Sequence, residues 1–309
     1  MPELADNLVG WLFERVQLSA SPPIDVEELA RRMGIASITA APMIEDGRLE
    51  QDGRNARIYL REGLPAHRQR FTIAHELGHR LLLHPRAPAE RYRSRLVGDS
   101  EERLCDDIAA AILLPEHWVT RHYQDRPHRL DTVRRLSSET RTSLSASLVR
   151  LSEVVGWRQS LLRFRLVNER WRLDAPAAVP FEIHGLIRTT SDTSRTLDET
   201  GARTRSDVST HLPLRIGRVE QVVPAELSVA RSVAVALVDL TKVALANEPQ
   251  PDESGTSGSP RQVSNVMSNE LGGTRWTRRH SVNLATPELP AQRDEVHSAS
   301  RGARLRRGS

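Results

Sequence analysis

Cysteine is almost absent. Cys105 is the only one in 309 residues, which excludes an intrachain disulfide framework and a cysteine-rich metal site. Lysine is almost absent too: of 44 basic residues, Lys242 is the one lysine. So complete an arginine bias reads as the codon usage of GC-rich DNA rather than as a nucleic-acid footprint. No segment approaches the ~20 consecutive apolar residues that span a bilayer. The opening MPELADNLVGWLFERV has acids early and no basic-then-apolar layout, so a cytoplasmic location is expected rather than secretion. An excess of one charge is also missing. The net charge is +4, with 40 acids interspersed, so there is no basic stripe to read as a phosphate footprint. The closing RGARLRRGS is a basic tip that can touch nucleic acid weakly but reads first as a solvated tail.

What is present is a soluble globular composition, 38% hydrophobic and 27% charged, long enough for one large domain or two small ones. Residues 4–18 read as a helix, with Leu4, Leu8, Trp11, Leu12 and Arg15 at helical spacing. Asp25 and Glu28 have the spacing of a capping box that opens VEELARRMG, and Gly34 closes it. That short helix could begin a DNA-reading helix-turn-helix, but the following ITAAPMIEDGRLEQDGR is turn-rich and strand-like. Asp46-Gly47 and Asp52-Gly53 mark turns, and ARIYLRE alternates as a strand. An apolar-periodic segment runs from about Ala66 to Leu83, a polar connector spans 86–99, and a helix begins at Ser100 and stops at Pro115. Residues 130–156 suggest two short helices with a turn at 137–142. SLLRFRLVNERWRLD suggests a hairpin turning at Asn168-Glu169. Residues 186–210 look like a loop, 211–245 like strand or helix, and the Pro/Gly/Ser-rich remainder like a disordered tail. The division expected is 1–125, 126–160, 161–245 and a tail over 246–309.

The chemistry concentrates in His75-Glu76-Leu77-Gly78-His79. Four residues apart on a helix, His75 and His79 share a face and can aim their imidazoles at one ion. Neutral imidazole suits zinc. Glu76 would stand beside the open coordination position as a general base. Gly78, costly inside a helix by roughly 1 kcal/mol, suggests a close approach. Zinc then lacks one protein ligand. Glu102 is the candidate, with Asp106 one turn on to accept the far ring N–H of a ligating histidine. Asp99 and Glu101 read instead as solvated acids favoured by the helix dipole.

RQRFTIAHELGHRLLLH followed by ERLCDDIAAAILLP resembles the ImmA/IrrE family of metallopeptidases. The resemblance rests on Arg68, Phe71, the five-residue core, His84, Glu102, Asp106, Ala109 and Leu113-Leu114-Pro115. Cys105 stands where the family has a small Ala, and Ile108 where it has Phe. The resemblance covers roughly residues 20–120. It implies a catalytic domain of zincin-like, thermolysin-like architecture; with the C-terminal mixed α/β region, expected to regulate or recognise, and the disordered tail, the fold expected is α+β. It implies a Zn2+-dependent endopeptidase that cuts a helix-turn-helix repressor and so relieves transcriptional repression. In that architecture the strand carrying Ile58, Tyr59 and Leu60 would be an edge that pairs with extended substrate.

His84 lies off the ligand face and reads either as packing or as a group that orients a neighbour or stabilises an oxyanion. Cys105 reads as a buried small residue, His117, His122 and His128 as surface residues, and Trp157, Phe164 and Trp171 as packing. Two rival functions stay open at this point: a metal-fold module that binds a regulator without turnover, and a DNA-binding regulator using residues 130–156.

Overall fold

The computed structural model describes residues 2–52, 55–88, 98–179, 185–203, 207–240 and 243. The expected disordered tail, most of the 86–99 connector and Gly53 lie outside the described residues. Among the described residues there are eight helices and nine strands, a mixed α+β fold. No described helix is long and apolar enough to cross a membrane.

The first half is built on α1 (Pro2–Val16), α2 (Val26–Arg32), β1 (Ile35–Ala41), β2 (Gly47–Asp52), β3 (Asn55–Arg61), α3 (Ala66–Leu82) and α4 (Asp99–Leu113). Asp25 caps α2 by accepting the Glu28 N–H at 2.9 Å. Glu28 does not reach back as a capping box would. Its carboxylate is taken by Arg32 at 2.6 Å and by Arg31, a more favourable partner than a backbone N–H. Gly34, at φ +79°, ends the turn, and the chain leaves as β1 rather than as a second reading helix.

The three strands are ordered β1-β3-β2, with β1 parallel and β2 antiparallel to β3. This corrects the expectation for Ile58, Tyr59 and Leu60. Their strand is central, both its edges are bonded, and Ile58 and Leu60 are buried in the core. A strand paired on both sides offers no backbone to substrate. The edges are β1 and β2. The start of β2 is clamped by buried Asp46, which accepts from Arg61 at 2.5 Å and Arg68 at 2.7 Å. One carboxylate thereby ties the end of β3 and the first turn of α3 to the mouth of β2.

From Thr72 to Leu82 every residue of α3 is buried. It lies between the small sheet and α4, and α1 covers α4 from behind. Then follow α5 (Glu116–Tyr123), α6 (Leu130–Thr140) and α7 (Leu144–Val155). Leu130, Val133, Leu136, Leu148 and Leu151 join the core that contains α3 and α4. Arg150 of α7 is buried, donates to the Leu114 carbonyl at 2.9 Å and pairs with Asp6 of α1.

The second half is one antiparallel sheet, ordered β5-β4-β9-β8-β7-β6, from β4 (Gln159–Val167), β5 (Arg170–Ala177), β6 (Ile187–Arg188), β7 (Val208–Ile216), β8 (Val219–Ala230) and β9 (Val233–Asp239). The β4–β5 hairpin turns at Asn168 and Glu169, both with positive φ, the geometry that matches strand twist in tight hairpins. The stretch 186–210, expected to be a loop, contains α8 (Ser191–Arg203). Its start is fixed by reciprocal bonds between Thr190 and Thr193. It packs on the sheet through few groups, chiefly Leu197, Thr193 and an Asp198 that accepts from the Trp171 indole at 2.7 Å.

Among the described residues, two ion pairs join the halves. Arg134 of α6 meets Asp207 at 2.8 Å. Glu226 of β8 pairs with Arg129 at 3.1 Å and accepts the backbone N–H of Leu130. Two of the arginines around α6, Arg129 and Arg134, are thus engaged with carboxylates.

The Asp46 clamp predicts a pH signature. Burial would raise its carboxyl pKa, but the bonds from Arg61 and Arg68 lower it overall. Its stabilisation is therefore present above the unfolded-state value of about 4 and is lost as pH falls through the lower folded-state value. Asp46→Asn should cost about 1.5–3 kcal/mol near neutrality, the worth of hydrogen bonds to charged groups, with the deficit shrinking in acid. Urea unfolding of both proteins across pH checks this, and an equal deficit at every pH would refute the clamp.

Candidate metal centre

The site forms where α3 and α4 touch. Gly78 makes that contact possible: a Cβ there would lie 3.2 Å from the Cys105 Cα and 3.3 Å from its Cβ. A glycine on α3 facing a small residue on α4 brings the two axes close, and the side chains flanking the contact interlock. The close approach that Gly78 suggests in the sequence is to the backbone of α4.

His75 and His79 are buried one turn apart with their Nε2 atoms 3.2 Å from each other. Glu102 Oε2 lies 3.3 Å from the first and 3.6 Å from the second. Donors bound tetrahedrally at about 2.0–2.1 Å from zinc are separated by about 3.3 Å, so this triangle has the dimensions of three ligands of one ion. The same three residues form the described group of donors able to hold a metal. Two nitrogens and one carboxylate oxygen suit zinc, and manganese or iron as well.

The outer ring nitrogens are held by acids. Asp106 Oδ1 is 2.8 Å from His75 Nδ1, and Glu101 Oε1 is 3.1 Å from His79 Nδ1. Asp106 occupies the place expected of it. Glu101 does not: expected as a solvated first-turn acid, it turns inward onto His79. Cys105 is buried as expected, and its Sγ also comes within 3.4 Å of His79 Nδ1. Burial pushes its thiol pKa up to about 11, which keeps it protonated and unsuited to nucleophilic work.

The electrostatics follow from packing charges together. Burial alone would lower the pKa of both imidazoles. Asp106 and Glu102 reverse this at His75, and Cys105, Glu101 and Glu102 reverse it at His79, so both rise. Burial would raise Glu102, but the imidazoles hold its carboxyl far below the usual range. A divalent cation entering this cluster displaces protons held on the imidazoles.

Glu76 is buried as well. Burial raises its pKa, an effect only partly offset by His75 and His79. The Leu49 backbone of β2 donates to its carboxylate, and its Oε2 has no hydrogen-bond partner among the described residues. Gly47 lets β2 start against it: a Cβ there would fall 2.3 Å from Thr72 Cγ2 and 3.0 Å from Glu76 Oε1. The His84 ring lies 5.4 Å from Trp11, and its Nδ1 accepts the Arg86 N–H at 3.1 Å. His117, His122 and His128 are exposed, whereas Trp157, Phe164 and Trp171 are buried.

Residues 30–152 match the family model described as Peptidase_M78, the IrrE N-terminal-like domain. Among solved structures, the chain is similar to a Mycobacterium tuberculosis transcriptional regulator at 15% identity and a TM-score of 0.46, covering 79% of this chain and 80% of that one. No curated protein matches.

The Gly78 contact yields a second prediction. Gly78→Ala would gain roughly 1 kcal/mol of helix propensity, yet its methyl group meets backbone that cannot swing aside. Overpacking of this kind costs about 1–3 kcal/mol, so the variant should melt below the wild type and bind metal more weakly. A variant that melts higher with unchanged metal affinity would show that the helices have room to spare.

Proposed function

We propose that the IrrE N-terminal-like domain formed by residues 30–152 is a zinc-dependent endopeptidase of zincin-like architecture, acting on a protein substrate, a helix-turn-helix repressor. The reading is carried by one arrangement. Two imidazole nitrogens and a carboxylate oxygen converge within 3.2–3.6 Å, next to a buried glutamate with one oxygen that has no hydrogen-bond partner among the described residues.

His75, His79 and Glu102 would hold the ion, whose contribution is to polarise the scissile carbonyl and to make a water more acidic. Glu76 carries the proton. Its desolvated carboxylate, with a raised pKa, suits both proton transfers. It takes a proton from the attacking water and returns it to the departing amine nitrogen. Asp106 fixes the His75 tautomer by accepting its Nδ1–H. Substrate would lie along β2, which pairs with β3 on one side and is an end strand of its sheet. An extended segment added there by backbone hydrogen bonding passes beside Glu76, because Leu49 of the same strand already reaches that carboxylate. An edge strand reads side chains weakly, so much of the choice of substrate would fall to other surfaces. The sheet formed by β4–β9 supplies a second surface on the same chain for recognition or regulation.

The test uses the purified full-length chain loaded with zinc and the helix-turn-helix repressor encoded closest to its gene. Cleavage should occur with metal and stop with chelator. Glu76→Gln should reduce it by about 10²–10⁴-fold, the usual contribution of a positioned acid–base group, while zinc stays bound. Equal cleavage by wild type and Glu76→Gln would rule out this mechanism. Tight repressor binding with no cleavage by either protein would identify a holding module instead.

A further inference from the structure

The geometry points to Glu101 as the positioning residue of His79, the counterpart of Asp106 on His75; this rests on reading the site as a metal centre. The two imidazoles need the same treatment. Each presents Nε2 to Glu102, at 3.3 and 3.6 Å. Each presents Nδ1 to a carboxylate, at 2.8 Å for Asp106 and 3.1 Å for Glu101. A neutral imidazole has one N–H. A carboxylate at Nδ1 keeps the proton there and leaves the Nε2 lone pair turned toward the cation.

Helix α4 accomplishes this with two adjacent stripes. Glu102 faces both Nε2 atoms, and Asp106, four residues on, serves Nδ1 of His75; Glu101 and Cys105, also four apart, both reach Nδ1 of His79. The second stripe contains a competition that the first lacks. Cys105 Sγ lies 3.4 Å from the same Nδ1 that Glu101 engages. A thiol is both a weak acceptor and a weak donor. If its S–H were presented to Nδ1, the ring proton would be driven to Nε2, and His79 would turn a hydrogen rather than a lone pair toward the ion. The Glu101 carboxylate accepts but cannot donate, so it decides the tautomer. Its side chain is only 22% exposed, although it stands in the first turn of α4, where an acid has a ready alternative reason to occur.

The experiment compares the full-length wild type with Glu101→Ala, Glu101→Gln and Cys105→Ala. Zinc affinity is read by competition with a chelating indicator, coordination by the visible absorption of the cobalt-loaded proteins, and folding by thermal melting of the metal-free proteins. Glu101→Ala should weaken zinc binding by roughly 10–100-fold, the usual cost of losing a group that orients a ligand, and alter the cobalt spectrum. Glu101→Gln retains a carbonyl oxygen to accept from Nδ1 and should restore most of the affinity, although it too lacks the charge that favours the helix N-terminus. Cys105→Ala should bind zinc as the wild type does, and all the metal-free proteins should melt alike. Wild-type affinity in Glu101→Ala overturns the inference. So does a Gln variant as weak as the Ala variant with both melting early, which would mean a structural role, or a larger loss in Cys105→Ala than in Glu101→Ala. Failure of the wild type to bind zinc at all overturns the metal centre itself, and with it this inference.

Discussion

The close approach of two helices governs everything at this site. Without a side chain at Gly78, α3 can rest on the backbone of α4 at Cys105, and only then do carboxylates on α4 reach imidazoles on α3. The distances that matter chemically are separations between atoms on different helices. They inherit the tolerance of that contact, a few tenths of an ångström. The surrounding core explains how the tolerance is kept: α3 is buried from Thr72 onward, and α4 is pressed from behind by α1. A close-packed interior transmits strain rather than absorbing it, so residues far from the imidazoles still fix their spacing.

The parts legible in the sequence are those whose chemistry is local. The two histidines and Glu76 sit on one helix, and the period of that helix alone puts them together. Glu102 with Asp106 could be read because two acids one turn apart satisfy two different needs of one metal centre. Glu101 could not. An acid in a first helical turn is expected from the backbone dipole alone, and nothing in its spacing separates that use from an inward one. The sheet failed differently. ARIYLRE alternates correctly for a strand, with Ala56, Ile58 and Leu60 facing inward, but alternation says nothing about neighbours. The parallel partner β1 and the antiparallel partner β2 are set by tertiary pairing, so the strand is central where an edge is expected. Helix α8 is illegible because it lays chiefly Leu197 and Thr193 on the sheet. With so few apolar positions a Ser/Thr/Arg-rich segment has no visible period, and its cap is a threonine pair rather than an acid.

On the proposed reading, recognition of extended protein and the handling of a proton would meet in β2. Asp46 holds its entrance, Gly47 lets it lie against Thr72 and Glu76, and the Leu49 N–H reaches the Glu76 carboxylate. Substrate aligned on this strand would therefore be aligned on the base by the same backbone. The ion pairs of Asp46 would thus bear on that alignment without touching it.

Glu226 gives α6 what its own sequence withholds. Arg129 precedes the helix and offers no side-chain acceptor to its first turn, so the free amide of Leu130 is met by a carboxylate from 96 residues further along. α1 likewise lies before the family-matched span yet roofs α4. A fragment trimmed to residues 30–152 would keep every metal donor and lose both supports, baring the apolar underside of α4 and an unmet amide. The packing that steadies this domain therefore extends beyond its recognisable homology on both sides.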